Sequence, residues 1–248
     1  MTAPLRPTHR ARLATTPEDL RRAQALRHLC FRGRPGLDAD RHDPLCRHLL
    51  VEDGAGRLAA SLRLRVLQPR EVGTTYAAES YDLARLKSFG APLAEMGRLC
   101  LAPDAPHGAD ALRVAWGALA ALAAEAGARL LFGCASFPGT DPAPYAAAFA
   151  HLAAHHPAPP AWAPGRRAPE TVDLAGPIPD PVAALKTMPP LLRATLAFGG
   201  WTGDHAVIDR DLGTLHVLAA IEAARVPPGR ARALRHMAAR VDGEDAPP

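Results

Sequence analysis

The chain has 248 residues, 48% of them hydrophobic, and 29 Lys and Arg stand against 25 Asp and Glu for a formal net charge of +4. That apolar fraction is ample for one large core and places the chain among soluble globular proteins of one domain, or one domain with a subdomain. No stretch of about 18 residues is apolar and uncharged, and the first twenty residues lack an apolar signal core, so neither a membrane span nor secretion is expected and the location is read as cytoplasmic. The basic residues are nearly all arginine, Lys87 and Lys186 being the exceptions, and the pI near 9.2 suits an acidic partner. Charge alone does not choose among nucleic acid, an anionic bilayer and an acidic carrier protein. The four cysteines, Cys30, Cys46, Cys100 and Cys134, are far apart with no C-x-x-C pair, which argues against a zinc knuckle and for buried free thiols.

The opening segment, residues 1–16, is polar and punctuated by proline, and loose order is expected there. Thr16-Pro17-Glu18-Asp19 then supplies an N-cap, a proline at the first helical position and acidic residues in the first turn. Leu20, Ala23, Leu26 and Cys30 follow at helical spacing, Arg27 and Phe31 share one face, and Gly33-Arg-Pro-Gly36 ends the helix. A loop carrying Asp38, Asp40 and Asp43 leads into a strand over His48–Glu52, and Asp53-Gly54-Ala-Gly56 reads as a hairpin turn into a second strand. Alternation along that strand puts Ser61, Arg63 and Arg65 on one face and Leu62, Leu64 and Val66 on the other.

Residues 70–92 read as a connection of the length of a lid or acceptor-side loop, with a short helical turn over Glu79–Leu83. Leu93 to Leu101, between Pro92 and Pro103, is then a buried strand interrupted by Glu95 and Arg98. Period two sets those charges on opposite faces unless Gly97 bulges the strand. The bland reading is an internal ion pair; the functional one is a general base held in a cleft. An alanine-rich helix over residues 109–126 ends at Gly127, and residues 130–137 form a further buried strand with Ser136, whose hydroxyl is a candidate proton donor or acceptor-binding group.

Another helix starts at Thr140-Asp-Pro142 and ends near His151 and His155, a pair four apart that has no carboxylate at ligand spacing and is read as a helix end rather than a metal site. Residues 157–181 read as an irregular crossing loop. The apolar segment over residues 185–198, with Met188, Leu192 and Leu196, suits either core packing or an acyl tunnel. Residues 203–209 and 214–221 read as a terminal strand pair. Beyond them Arg230, Arg232, Arg235 and Arg240 with Leu234, Met237 and Val241 suggest a basic helical tail, solvated or resting on membrane or carrier protein.

The order Arg27-x-x-x-Phe31, Asp40-x-x-Asp43, Arg63, Glu95-x-x-Arg98 resembles the acyl-homoserine-lactone synthases, whose fold is similar to the GNAT acyltransferases and whose donor is acyl carrier protein. The stretches over residues 46–53, 79–83, 131–142, 188–192 and 200–209 make the chain look like the L-ornithine Nα-acyltransferases that form lyso-ornithine lipid, a resemblance running from about residue 20 to about residue 222. It implies a mixed α/β, α+β-type GNAT-like fold with a mostly antiparallel central sheet flanked by helices, occupying 17–222 between a flexible 1–16 and a basic tail 223–248. It implies Glu95 as the base and Arg98 as the residue that holds Glu95 or the substrate in position, with Arg27 and Phe31 lining the acyl-pantetheine and catalytic cleft. Ornithine carries a side-chain ammonium, which suits Asp40 or Asp43, while Arg63 suits its carboxylate; Asp38 is an equal candidate. Coenzyme-A-dependent GNAT enzymes usually cradle the pyrophosphate in Gln/Arg-x-x-Gly-x-Gly/Ala, and Ala105-Pro-His-Gly-Ala-Asp110 lacks that pattern. The donor expected is therefore acyl carrier protein, with no cofactor, no metal and no nucleic acid as partner. A homoserine-lactone synthase using S-adenosylmethionine is the nearest alternative, and a catalytically silent module binding carrier protein or membrane is the alternative of another class.

Overall fold

A computed structural model describes residues 9–177 and 181–232. In chain order the strands are β1 His9–Leu13, β2 Arg47–Asp53, β3 Leu58–Leu67, β4 Tyr81–Asp82, β5 Leu93–Leu101, β6 Leu130–Pro138, β7 Gly165–Arg166, β8 Thr171–Asp173, β9 Trp201–Asp209 and β10 Thr214–Glu222. The helices are α1 Pro17–Arg32, α2 Gly108–Glu125, α3 Ala146–His155, α4 Pro181–Thr187 and α5 Pro190–Ala197. The chain divides into two compact units. One holds residues 9–65, 96–125 and 229–232, the other Val66–Glu95 and Ala126–Pro228. β5 passes from the second unit to the first between Glu95 and Met96.

In the first unit the strand order is β1-β2-β3-β5. Antiparallel pairing of β2 with β3 follows from the Asp53–Gly56 turn, where Gly56 takes φ 76, a left-handed conformation that suits glycine. His48 stands opposite Arg63 and Leu50 opposite Ser61, so these four share a face, while Leu49 and Leu62 share the other. α1 packs on β2, and α2 on β1 and β2. α1 begins as its sequence dictates: Thr16 Oγ1 accepts the Asp19 N–H at 3.1 Å and Asp19 Oδ2 accepts the Thr16 N–H at 3.3 Å, a capping box of about 1 kcal/mol. Gly33 closes it at φ 66. The loose order expected of residues 1–16 is corrected over 9–13. β1 pairs antiparallel with β2, and Arg12 ties it to Glu52 of β2 and Asp19 of α1 at 2.9 and 2.7 Å.

In the second unit β5-β6-β10-β9-β8 is the order, with a short parallel stretch in which Glu95 stands opposite Phe132. β9 and β10 are the antiparallel terminal pair, and two apolar clusters pack there. Met188, Leu192 and Leu196 belong to one of them, so core packing accounts for these side chains of the 185–198 segment. Of the connection over residues 70–92, expected as a lid or acceptor-side loop, Val72, Ala77, Tyr81 and Leu86 are buried. In place of a helical turn at Glu79–Leu83, Tyr81 and Asp82 pair as β4 with β7, between 3₁₀ turns at Ala77–Glu79 and Ala84–Ser88. The physical reason is Tyr81, whose hydroxyl donates to the His216 carbonyl at 2.7 Å beside the register shift of β10 between Val217 and Ala219. An interrupted ladder leaves polar backbone to satisfy, and the phenol meets it. The crossing loop 157–181 likewise contains strands, β7 and β8.

The cysteines are free, but Cys100 alone is fully buried; Cys30, Cys46 and Cys134 are half-buried. Residues 228–232 begin a helix. The remainder of the predicted basic tail, with Leu234, Arg235, Met237, Arg240 and Val241, lies outside the described residues.

Candidate active site

Six of the nine site residues singled out from sequence, Arg27, Asp38, Asp40, Asp43, Arg63 and Arg98, join in one cluster in the first unit. Arg27 Nε lies 2.9 Å from Asp38 Oδ2 and Arg27 Nη1 2.8 Å from Asp43 Oδ1. Arg63 Nη1 bridges Asp43 Oδ1 at 2.8 Å and Asp40 Oδ1 at 2.6 Å. Arg98 closes the circuit through Asp40 Oδ2 at 3.2 Å and, at ion-pair distance but off the hydrogen-bonding angle, Asp38 Oδ2 at 3.0 Å. Three guanidinium groups thus alternate with three carboxylates in a closed ring whose formal charges cancel. α1 supplies Arg27, the following loop the three aspartates, β3 Arg63 and β5 Arg98.

Burial makes this pairing obligatory. Arg27, Arg63 and Asp43 are almost wholly out of solvent, and an unpaired charge there is very costly. Desolvation works to raise the Asp43 pKa, yet the hydrogen bond and charge of Arg27, then Gln24 and Arg63, hold it far below the ordinary carboxylate range. Asp40 is lowered in the same way, burial being outweighed by Arg63. For Arg63, burial works downward and Asp40 and Asp43 override it upward. His48 has its pKa lowered by burial, although its Nε2 is 3.0 Å from the Asp43 carbonyl.

This geometry corrects one expectation. Asp43 Oδ1 accepts from Arg27 and Arg63, and Oδ2 from Gln24 Nε2 at 2.9 Å and the Asp40 N–H at 3.3 Å. A carboxylate has about four acceptor positions, so Asp43 has none left for a substrate ammonium. Asp40, at 21% side-chain exposure, is the open corner of the ring. Phe31 is half-buried under Arg98, whose guanidinium carbon stands 5.8 Å from the ring centroid.

Arg98 has φ 55, a left-handed conformation that costs a side-chain-bearing residue roughly 1–2 kcal/mol. Gly97 precedes it, and a Cβ there would stand 3.4 Å from Arg63 Nε. The period-two alternation of β5 is therefore broken at Gly97-Arg98, and the ion pairs to Asp38 and Asp40 hold Arg98 in its strained conformation.

Glu95, in the second unit, is 6% exposed. Its Oε1 accepts the Ala77 N–H at 2.7 Å and its Oε2 the Tyr76 N–H at 3.2 Å. Two consecutive amides at the start of the 3₁₀ turn Ala77–Glu79 thus grip the carboxylate. Neither amide was anticipated from sequence, where residues 70–92 read as a lid or acceptor-side loop. Ser136 is also in the second unit, exposed on β6 opposite His216. The His151 and His155 rings lie against each other, tilted by 52° with centroids 4.7 Å apart, and among the described residues no group of three or more His, Cys, Asp or Glu is placed to hold a metal.

Comparison with known proteins names this architecture. The family described as Acetyltransferase (GNAT) domain matches residues 26–116. The L-ornithine N(alpha)-acyltransferase of Rhodobacter capsulatus is 37% identical over 235 residues, covering 87% of this chain and 90% of its own. The chain belongs to the L-ornithine Nα-acyltransferase family. Its counterpart from Rhizobium meliloti is 31% identical over 231 residues, covering 84% of this chain and 77% of that one. Among solved structures, FeeM, an N-acyl amino acid synthase from uncultured soil microbes, superposes with a TM-score of 0.53 at 10% identity, over 91% of this chain and 99% of that one, which bears on the fold alone. Membership of the L-ornithine Nα-acyltransferase family makes the chain an N-acyltransferase. The charged ring is thus part of an acyltransferase.

Proposed function

We propose that the chain transfers a fatty acyl group from the phosphopantetheine thioester of acyl carrier protein to the α-amine of L-ornithine, forming lyso-ornithine lipid. The single observation that carries the acceptor is the identity to named ornithine acyltransferases over nearly nine-tenths of the chain. The donor reading is supported by Ala105–Asp110, the lead into α2, where the glycine pattern of a pyrophosphate cradle is replaced by Ala-Pro-His-Gly-Ala-Asp.

In this reading Glu95, fixed by the Tyr76 and Ala77 amides, accepts the proton that the α-ammonium must lose before its nitrogen can attack. The C–N bond forms to give a tetrahedral oxyanion; as it collapses the C–S bond breaks, the nitrogen gives up its second proton to become the amide, and the departing pantetheine thiolate takes that proton up, with Ser136 as the candidate group that donates to sulfur and is reprotonated in turn. A thiol of pKa about 8.5 leaves tolerably without an acid. The broken alternation at Gly97-Arg98 supports a role for strand amides in polarising the thioester carbonyl. Arg98 is read as a positioning residue anchored by Asp38 and Asp40, and Asp40 as the ring carboxylate best exposed to a cationic acceptor. No covalent acyl-enzyme and no metal enter these steps.

The test is mass spectrometry of products from an amino-acid panel, together with specificity constants for acyl carrier protein and acyl-coenzyme A donors of the same chain length. N-acylornithine as the main product and a wide preference for the carrier-bound donor are expected. Another acylated amino acid would overturn the acceptor, and equal specificity constants the donor.

A further inference from the structure

Two thiols meet beside the charged ring without being members of it. Cys30 lies in the last turn of α1, three residues after Arg27, and Cys100 lies on β5, two residues after Arg98. Their side chains are hydrogen-bonded to each other. The backbone holds both in place: Cys30 Sγ donates to the carbonyl of Leu101, the residue after Cys100, at 3.1 Å, and Cys100 Sγ lies 3.7 Å from the Ser61 carbonyl of β3. Their surroundings differ. Cys100 is buried and Cys30 half-buried, so Cys30 is the sulfur that a small solute reaches first. The shared hydrogen bond favours the anion on Cys30, whose pKa it lowers against the opposing pull of burial. The same bond, with burial added, pushes the Cys100 pKa well above the usual thiol range, and the charge of Arg27 offsets only part of that. A half-exposed thiol of lowered pKa in contact with a buried partner thiol is the arrangement of an oxidisable pair.

We propose that Cys30 and Cys100 form a peroxide-sensitive dithiol, Cys30 the attacking sulfur and Cys100 the resolving one, whose disulfide slows acyl transfer. The Cys30 thiolate attacks one oxygen of hydrogen peroxide, the O–O bond breaks, the hydroxide released takes up the proton that Cys30 had lost, and Cys30 becomes a sulfenic acid. The Cys100 sulfur then attacks that of Cys30, the S–O bond breaks, and a second water leaves with the Cys100 proton. Two thiols have given up two electrons and two protons, and the peroxide has become two waters. An external dithiol reverses the bond by exchange. A disulfide brings its sulfurs to about 2.05 Å, well inside a hydrogen-bonded separation, so its formation draws α1 and β5 together. Arg27 stands about one helical turn from one end of the new bond and Arg98 two residues from the other. The displacement therefore falls on two members of the ring, and a misplacement of about 1 Å near a site costs up to about 10²-fold in rate.

To test it, the full chain is treated with hydrogen peroxide, alkylated under denaturing conditions and mapped by peptide mass spectrometry without reduction. Turnover is measured in parallel, before and after dithiothreitol. Wild type is expected to yield a peptide linking Cys30 to Cys100, two hydrogens lighter than its separate parts, and to lose about 10- to 100-fold in turnover, recovered on reduction. Cys30→Ser should match untreated wild type in turnover and melting and keep that turnover under peroxide. Cys100→Ala should form no link and should let Cys30 run on to sulfinic acid, which dithiothreitol does not reverse. If Cys100→Ala does not fold, Cys30→Ser decides. Treated wild type without the linked peptide, a linked peptide in fully active protein, or Cys30→Ser inactivated as wild type is would each overturn the proposal. The linked peptide is read with no substrate present, so untreated wild type that makes no N-acylornithine would sink the proposed function while the peptide map still decides the pair.

Discussion

The two halves of β5 hold their charged residues in contrasting ways. On the first-unit half, Arg98 enters a ring where each of three cations meets two carboxylates. On the second-unit half, Glu95 is gripped by two neutral backbone N–H groups. Opposite charges held at under 3.3 Å quench each other, leaving a rigid frame whose members are poor proton acceptors. The two amides fix the Glu95 carboxylate in place through donors that carry no net charge of their own, which sets its position rather than pairing it within the ring. A charged residue deep in an acyltransferase is thus better judged by what compensates it than by how deeply it is buried.

The largest effect that would break this comparison is on turnover. Glu95→Gln removes the proton acceptor and should lower kcat on the order of 10²- to 10⁴-fold with ornithine. Its carbonyl can still accept the Ala77 N–H, but its amino group then faces the donor of Tyr76, so a stability loss of about 1–3 kcal/mol should accompany the kinetic one. Turnover and thermal melts measured together separate the two, and full activity would eliminate Glu95 as the base.

Next in size is the ring itself. Arg27→Met leaves Asp38 and Asp43 short of their common cation and should cost about 3–5 kcal/mol in denaturant unfolding, whereas Arg27→Met with Asp43→Leu should recover part of that loss. A single variant as stable as wild type would mean the ring is not closed in solution.

The smallest effect sharpens the contrast through pH. Burial, then the nearby His205, pushes the His216 pKa down to about 4 against the partly opposing charge of Asp209, and burial lowers His48 as well. The unfolded chain takes up these protons near pH 6.5, before the folded one does, so the contribution is complete above that pH and is lost as pH falls toward 4. For His216 it amounts to roughly 3 kcal/mol. Asp43 behaves differently: its lowered pKa contributes stability above the unfolded value near 3.9 that is lost only as pH falls further. Melting temperature against pH should therefore decline in two stages, and His216→Asn should flatten the upper one. A profile unchanged by that substitution would show that His216 is not buried as a neutral imidazole.

Much of this protein was determined by short-range sequence cues. Thr16-Pro17 and Gly33 set the ends of α1, Asp53–Gly56 set the first hairpin, and the order of Arg27, Asp40, Asp43, Arg63, Glu95 and Arg98 suggested the acyl-homoserine-lactone synthases and their GNAT-like relatives, which the stretches over residues 46–53, 79–83, 131–142, 188–192 and 200–209 narrowed to the ornithine acyltransferases. Caps and turns depend on dihedral preferences within a few residues, which is why they can be read locally. What the charges do with one another was decided by tertiary structure. The partners of Arg27 and Arg63 lie on one loop, while Glu95 is held by amides from a segment nearly twenty positions earlier, through backbone groups that every residue but proline carries and no side chain announces. β1 depended on β2 for its ladder and on Arg12 for its anchorage, and Tyr81 was placed by a gap in a strand pair more than a hundred residues away. Each of these rests on desolvation, which forces a buried polar group to find a partner wherever the chain brings one, and sequence separation places no limit on where that is.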